Sequence, residues 1–139
     1  LGIGPWQVLE FNSSNTRAMT YRGKPHDYSM RLCLAYSETT CYEIIEPLKG
    51  PSIYTEFLEQ HGEGVHHIAF GCKEIDYQRR IDEFERRGYE VIQSGIYKDR
   101  IPYHYFATDG DIRTTIEIYH VPPDFVQEPD EWYPARPPA

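Results

Sequence analysis

Hydrophobic and polar residues alternate over several short stretches of the chain, which is the pattern of strands that are buried on one face. This pattern predicts strands at 6–11, 30–36, 40–46, 65–71, 89–94, 103–108 and 114–121. Apolar residues at helical spacing predict a short helix from Ile53 to about Gly62 and a longer helix over 75–87. The polar segment 12–29 is predicted as a loop, and the Pro-rich end from Pro122 as an extended tail.

The second half of the chain resembles a second copy of the first half. The segment 42–45, which contains Glu43, resembles the segment 116–119, which contains Glu117. The second copy opens with a strand and a helix over 65–87 that have no counterpart in the first copy. We therefore expect an additional strand and helix upstream of Leu1.

The length of 139 residues suits one domain with a single core. We expect this domain to span 1–124, as one module over 1–62 and another over 63–124, with the extended tail at 125–139. A net charge of −8 argues against a nucleic-acid-binding or anionic-membrane surface, so a small molecule is the expected partner. The absence of a long apolar segment predicts a soluble, cytoplasmic protein. Three cysteines without a CxxC spacing are predicted to be reduced core thiols: Cys33, Cys41 and Cys72.

Three of the predicted strands each carry one ionisable residue opposite an aliphatic face. Because successive side chains of a strand point to opposite sides, Glu43, His67 and Glu117 are expected to face one concavity. The opposite faces, with Ile44, Ile68, Ile116 and Ile118, are then free to pack on helices. Burying two carboxylates and an imidazole together is costly unless a cation compensates them. The set therefore predicts a divalent metal site, and zinc, nickel, cobalt, manganese and iron all fit these ligands.

Less specific interpretations exist for the charged and histidine residues. One strand glutamate alone is usually solvated, and His67 alone would suit a hydrogen-bonded core histidine. His66 is expected to be structural, and four other histidines are expected to be exposed or in loops: His26, His61, His104 and His120. The arginines at 79, 80, 86 and 87 are expected on the solvated face of a helix. Three residues of the predicted loop are candidates to meet an anionic substrate: Arg17, Arg22 and Lys24.

The segment Gly64-Val65-His66-His67-Ile68-Ala69-Phe70 resembles the corresponding strand of methylmalonyl-CoA epimerases, which belong to the vicinal oxygen chelate superfamily. The flanking segments 46–48, 57–58 and 62–64 resemble the same family. The resemblance implies an α+β fold of two βαβββ modules, whose mixed sheet curls around a metal cavity. It also implies that His67 and Glu117 are metal ligands. Position 43 is Gln in the epimerases and Glu in bacterial glyoxalase I enzymes, and the family's first ligand, a histidine, is expected upstream of Leu1.

The resemblance implies an isomerase or epimerase that moves a proton next to a carbonyl or thioester, with Glu43 and Glu117 as ligands and candidate bases. A glyoxalase I-like lyase is the close alternative, because it would explain Glu43. A metal-free drug-binding protein of the same fold is a third class, although such proteins typically lack the ligands. A ring-cleaving dioxygenase ranks lower, because those enzymes use two histidines and one glutamate. The expected partners are a carbonyl or acyl-thioester substrate and a second copy of the chain in a homodimer.

Overall fold

The computed structural model describes residues 2–135. Its strands are β1 Trp6–Phe11, β2 Thr16–Tyr21, β3 Lys24–Pro25, β4 Ser29–Tyr36, β5 Cys41–Lys49, β6 His67–Gly71, β7 Val91–Tyr97, β8 Ile101–Phe106, β9 Thr115–Tyr119 and β10 Glu131–Tyr133. Its helices are α1 Ile53–His61, α2 Glu74–Arg86 and α3 Asp109–Ile112. Both predicted helices and the predicted strand at β1 are found at nearly the expected bounds, whereas the short α3 was not predicted.

The strands form two sheets. The first sheet has the order β10-β1-β4-β5 and is antiparallel throughout. The second sheet has the order β3-β2-β7-β8-β9-β6, in which only β6 and β9 run parallel. The unit β6-α2-β7-β8-β9 is a βαβββ module, and β1, β4 and β5 pair in the same order as β7, β8 and β9. The predicted α+β class is therefore confirmed.

The prediction of a loop over 12–29 is wrong, because this segment contains β2 and β3. β2 leaves the first sheet and pairs with β7 of the second, so it ties the two sheets together. Its pairing register shifts between Arg17 and Thr20, where Ala18 has a positive φ of 51°. This bulge and the polar residues of β2 interrupt the alternation that would have indicated a strand.

Local signals explain why α1 begins and ends where it does. The Ser52 hydroxyl accepts a hydrogen bond from the backbone N–H of Thr55 at 3.2 Å, which caps the first turn. At the other end Gly62 has a φ of 73°, and its N–H donates to the carbonyl of Leu58. α1 therefore ends at a sharp turn that leads the chain into β6.

The main core lies between the two sheets, and a second core lies under α2. The first contains Leu9, Phe11, Met30, Leu32, Ile53, Tyr54, Tyr97, Tyr103 and Tyr105 among its members. In the second, Ile81 of α2 packs on Phe106, Ile116 and Ile118. None of the helices among residues 2–135 has the length and apolar character needed to cross a bilayer.

Two packing predictions need correction. The aliphatic face of β9 packs on a helix as expected, but Ile44 of β5 and Ile68 of β6 are 57% and 49% exposed, and both lie on edge strands. The cysteines form no disulfide, yet Cys41 is exposed and the other two are only partly buried, so they are not core residues.

Candidate metal centre

The structure brings Glu43, His67 and Glu117 together from three strands of two sheets. Glu43 lies on β5 of the first sheet, where it is paired with Leu34 of β4. His67 opens β6, and Glu117 lies at the middle of the neighbouring β9. All three are buried or half-buried: their side chains are 21%, 9% and 11% exposed, respectively. The two halves of the chain thus contribute to one site.

The distances within this cluster fit a metal ion bound by one atom from each residue. The candidate ligand atoms all lie within 4.8 Å of one another. Nε2 of His67 is 2.9 Å from Oε2 of Glu43 and 3.4 Å from Oε2 of Glu117. Ligands that are about 2.1 Å from a metal ion are separated by about 3.0 Å in octahedral and about 3.4 Å in tetrahedral geometry. The residues present therefore fit a divalent cation, and they leave coordination positions open for a substrate.

Without a cation, a proton on His67 links the two carboxylates. Burial by itself lowers the pKa of His67, but hydrogen bonds and Coulomb attraction to Glu117 and Glu43 outweigh it and raise the pKa to about 10. An imidazolium between two carboxylates is the competing explanation of the cluster. If both glutamates are ionised, this imidazolium leaves the buried cluster with one net negative charge. A divalent cation bound to neutral His67 and both glutamates would leave the cluster with no net charge.

Burial raises the pKa of Glu117, against the opposing effect of its hydrogen bond with His67. Tyr105 lies directly across the β8–β9 pair from Glu117, and Ala69 lies next to it on β6. The desolvation of Glu117 means that the folded structure holds this carboxylate in place at a cost, which is common at functional sites.

His66 contacts the far side of the His67 ring. The Nδ1 atoms of the two rings are 3.1 Å apart, so one of them must donate a proton to the other. Burial and the charge of His67 lower the pKa of His66 to about 4. At neutral pH His66 is therefore neutral, and its Nδ1 accepts from Nδ1–H of His67. This leaves Nε2 of His67 facing the two glutamates, as a metal ligand requires.

The cluster lines a large cavity between the two sheets, with a volume of about 1190 Å³. Most of its wall is apolar or aromatic, including Leu9, Met30, Leu32, Leu34, Phe57, Tyr97, Tyr103, Tyr105 and Phe125. Tyr119 lines it as well. Tyr54 and Tyr105 were not singled out from the sequence, although Tyr103 and Tyr105 alternate on one strand face and so could have been found.

The buried hydroxyl of Tyr54 has no hydrogen-bond partner of normal geometry among the described residues. Tyr54 is 4% exposed and lines the same cavity as the cluster. A buried polar atom without a partner is costly, so a ligand with a polar atom near this hydroxyl would satisfy it.

The other candidate residues lie elsewhere. Arg17 pairs with Asp99 and Arg22 with Glu56, and neither they nor Lys24 line the cavity. The helical arginines are exposed and form ion pairs along α2, as predicted. His26 and His61 are exposed as expected, but the expectation is wrong for the other two histidines. His104 is half-buried against the Tyr77 hydroxyl at 2.6 Å, and His120 is buried, with Nδ1 2.8 Å from the carbonyl of Cys72.

Comparison with known proteins supports this picture at the level of the fold. The family model described as the glyoxalase/bleomycin resistance protein/dioxygenase superfamily matches residues 1–108. The uncharacterized protein YqjC of Bacillus subtilis is 42% identical over 55 residues, which cover 33% of this chain and 39% of that protein. The chain thus matches well under half of that relative. The crystal structure of a hypothetical protein from Bacillus halodurans C-125 aligns with a TM-score of 0.56 and 22% identity, over 70% of this chain and 71% of that one.

Proposed function

Because the chain belongs to the glyoxalase/bleomycin resistance protein/dioxygenase superfamily, we propose that it is a divalent-metal enzyme that moves a proton next to a substrate carbonyl. The observation that carries the proposal is the convergence of Glu43, His67 and Glu117 within 4.8 Å of one another on the wall of a large cavity. This is a three-ligand set with open positions, as in catalytic rather than structural metal sites. The proposed class of reaction is isomerisation or epimerisation.

The proposed roles follow from how each residue is held. His67 is a neutral nitrogen ligand, because its Nδ1–H is donated to His66 and its Nε2 faces the glutamates. Glu117 is the more buried carboxylate, next to Tyr105 in the middle of a sheet, and it is proposed as a fixed ligand. A bound divalent cation would polarise the substrate carbonyl and so make the adjacent C–H bond more acidic.

Glu43 is the proposed base. Its side chain is 21% exposed, about twice as much as that of Glu117, and it lies on an edge strand. Its carboxylate would take the proton from the carbon next to the carbonyl, while the C–H bonding electrons pass to the carbonyl oxygen. Return of the proton from Glu43 to a neighbouring carbon would complete an isomerisation. In an epimerisation, water would protonate the opposite face of the carbon and Glu43 would release its proton to solvent.

A glyoxalase-like lyase is the second candidate, and the glutamate at position 43 favours it. The two candidates share the metal, the base and the proton transfer, and they differ in whether the substrate is a thiol adduct. Methylmalonyl-CoA and a hemithioacetal of glutathione are therefore both included as test substrates.

The proposal is tested by metal analysis of the purified protein, followed by a solvent-deuterium exchange assay on each substrate. Benzoin is a third substrate, because it is a hydroxyketone with two neighbouring oxygens and one exchangeable C–H. The expected result is about one metal ion per chain and faster exchange than in protein-free solution. A protein that takes up no divalent metal under any loading condition would overturn the proposal and favour a metal-free binding protein.

A further inference from the structure

We infer that the cavity accepts an uncharged, largely apolar carbonyl compound rather than an anionic one. The inference rests on the proposed function, because it names the substrate class of the same site. It follows from the charges of the cavity wall, from the size of the cavity and from one unsatisfied hydroxyl.

The cavity wall carries negative charge and no lysine or arginine within the described segment 2–135. Four glutamates line it: Glu43, Glu46, Glu63 and Glu117. Glu46 is paired with Arg31 at 2.8 Å, which leaves the other three without an arginine or lysine partner among the recorded ion pairs. A divalent cation would balance only Glu43 and Glu117. A substrate carboxylate or phosphate would therefore enter without a counter-charge, at an electrostatic cost.

Three arginines that do not line the cavity are paired with acidic residues. Arg17 of β2 contacts Asp99, Arg22 contacts Glu56, and Arg100 contacts Asp124 at 2.6 Å. Glutathione adducts carry two carboxylates and acyl-CoA thioesters carry several phosphate charges, and sites for such groups usually offer arginine or lysine. The described wall supplies none, so both charged candidates are disfavoured as substrates.

The size and lining of the cavity indicate what shape of ligand it can hold. A volume of about 1190 Å³ exceeds that of a typical small-molecule pocket, which is about 300–1,000 Å³. Aromatic rings from both sheets and from α1 line it, including Tyr97, Tyr103 and Phe57. Such a wall suits a bulky ring system, which would bury apolar area against these side chains. The buried Tyr54 hydroxyl, which interacts with Tyr105 but makes no hydrogen bond of normal geometry to a described residue, suits one polar atom of that molecule, such as a ketone oxygen.

The test is a calorimetric titration of the metal-free protein with 2-acetylnaphthalene and with 2-naphthoate, which have the same ring system and differ in charge. We expect the ketone to bind at least about tenfold more tightly than the carboxylate, a difference of about 1.4 kcal/mol. Equal or tighter binding of 2-naphthoate would overturn the inference, and so would the failure of both compounds to bind.

Two variants with the same change in net charge test whether the charge of the cavity wall controls naphthoate binding. Gln127→Arg places a cation on the cavity wall, whereas Glu85→Gln makes the same change in net charge on the exposed side of α2. Gln127→Arg should tighten naphthoate binding several-fold and Glu85→Gln should not. A similar effect of both variants would contradict a role for the charge of the wall. Because these titrations need no metal, absence of a metal site would defeat the proposed function while leaving this result interpretable.

Discussion

Glu43 and Glu117 occupy equivalent positions in the two halves of the chain, but their strands are held in the fold differently. β9 lies between β8 and β6, and its outer residues Ile116 and Ile118 are buried under α2. β5 pairs with β4 alone among the strands of residues 2–135, and Ile44 on its outer face is 57% exposed. The same motif therefore yields one rigidly buried carboxylate and one more accessible carboxylate, which suits a division between ligand and base.

The largest expected effect on metal affinity comes from replacing His67, which lies between the two glutamates. His67→Ala should weaken zinc binding by more than about 100-fold, because it removes the nitrogen ligand of the cluster formed by the described residues and leaves two carboxylates facing each other. A calorimetric titration with Zn²⁺ measures this. The control is His61→Ala, which removes an exposed histidine at the end of α1 and should leave the affinity unchanged. Unchanged affinity in His67→Ala would remove His67 from the site.

The proposed division of roles predicts different consequences for the two glutamate-to-glutamine variants. Glu43→Gln should slow deuterium exchange by about 100-fold or more, because an amide cannot accept the substrate proton. Its amide oxygen can still coordinate, so metal affinity should fall much less. Glu117→Gln should mainly lower metal affinity, and saturating metal should restore most of its exchange rate. The reverse pattern would assign the base to Glu117.

The outer face of β9 is buried under α2, whereas that of β5 is exposed. Substitutions on these two faces should therefore change the free energy of unfolding by different amounts. Ile118→Ala should lower the free energy of unfolding by about 3 kcal/mol, because Ile118 is 3% exposed and packs under α2. Ile44→Ala at the exposed position of β5 should change it by less than about 0.5 kcal/mol. Urea denaturation of both variants measures these changes. A comparable loss in Ile44→Ala would mean that the outer face of β5 is covered in solution.

A further expected effect concerns the pH dependence of metal affinity. The metal-free protein should hold a proton on His67 at neutral pH, because the carboxylates raise its pKa to about 10. Metal binding needs neutral His67, so it should release about one proton at pH 7, and affinity should rise about tenfold per unit between pH 6 and 8. Calorimetry in buffers of different ionisation enthalpy measures the released proton. Pure pH independence in that range would mean that His67 is already neutral without metal.

Much of the fold could be predicted from the sequence, because several elements carry local signals. α1 has a serine cap and a terminal glycine, and β1 is mostly apolar, with Gln7 and Glu10 as its polar residues. β2 could not be recognised, because the bulge at Ala18 and its polar residues hide the alternation. Its pairing with β7 is a long-range contact that no local pattern encodes.

The candidate site was predictable in its residues but not in its surroundings. The alternation of β5, β6 and β9 placed Glu43, His67 and Glu117 on one side, and the structure brings them together. The charge of the cavity wall depends on residues from many elements, so it could not be inferred from any one of them. Arg17 and Arg22, the candidates to meet an anionic substrate, do not line the cavity and pair with acidic residues outside it.

The most direct test of the central claim is a crystal structure of the protein soaked with Co²⁺, with anomalous diffraction recorded at the cobalt edge. We expect one anomalous peak about 2.0–2.2 Å from Nε2 of His67 and from one carboxylate oxygen each of Glu43 and Glu117. A peak that involves other residues, or no peak between these three side chains, would contradict the claim that the two halves of the chain build one metal site.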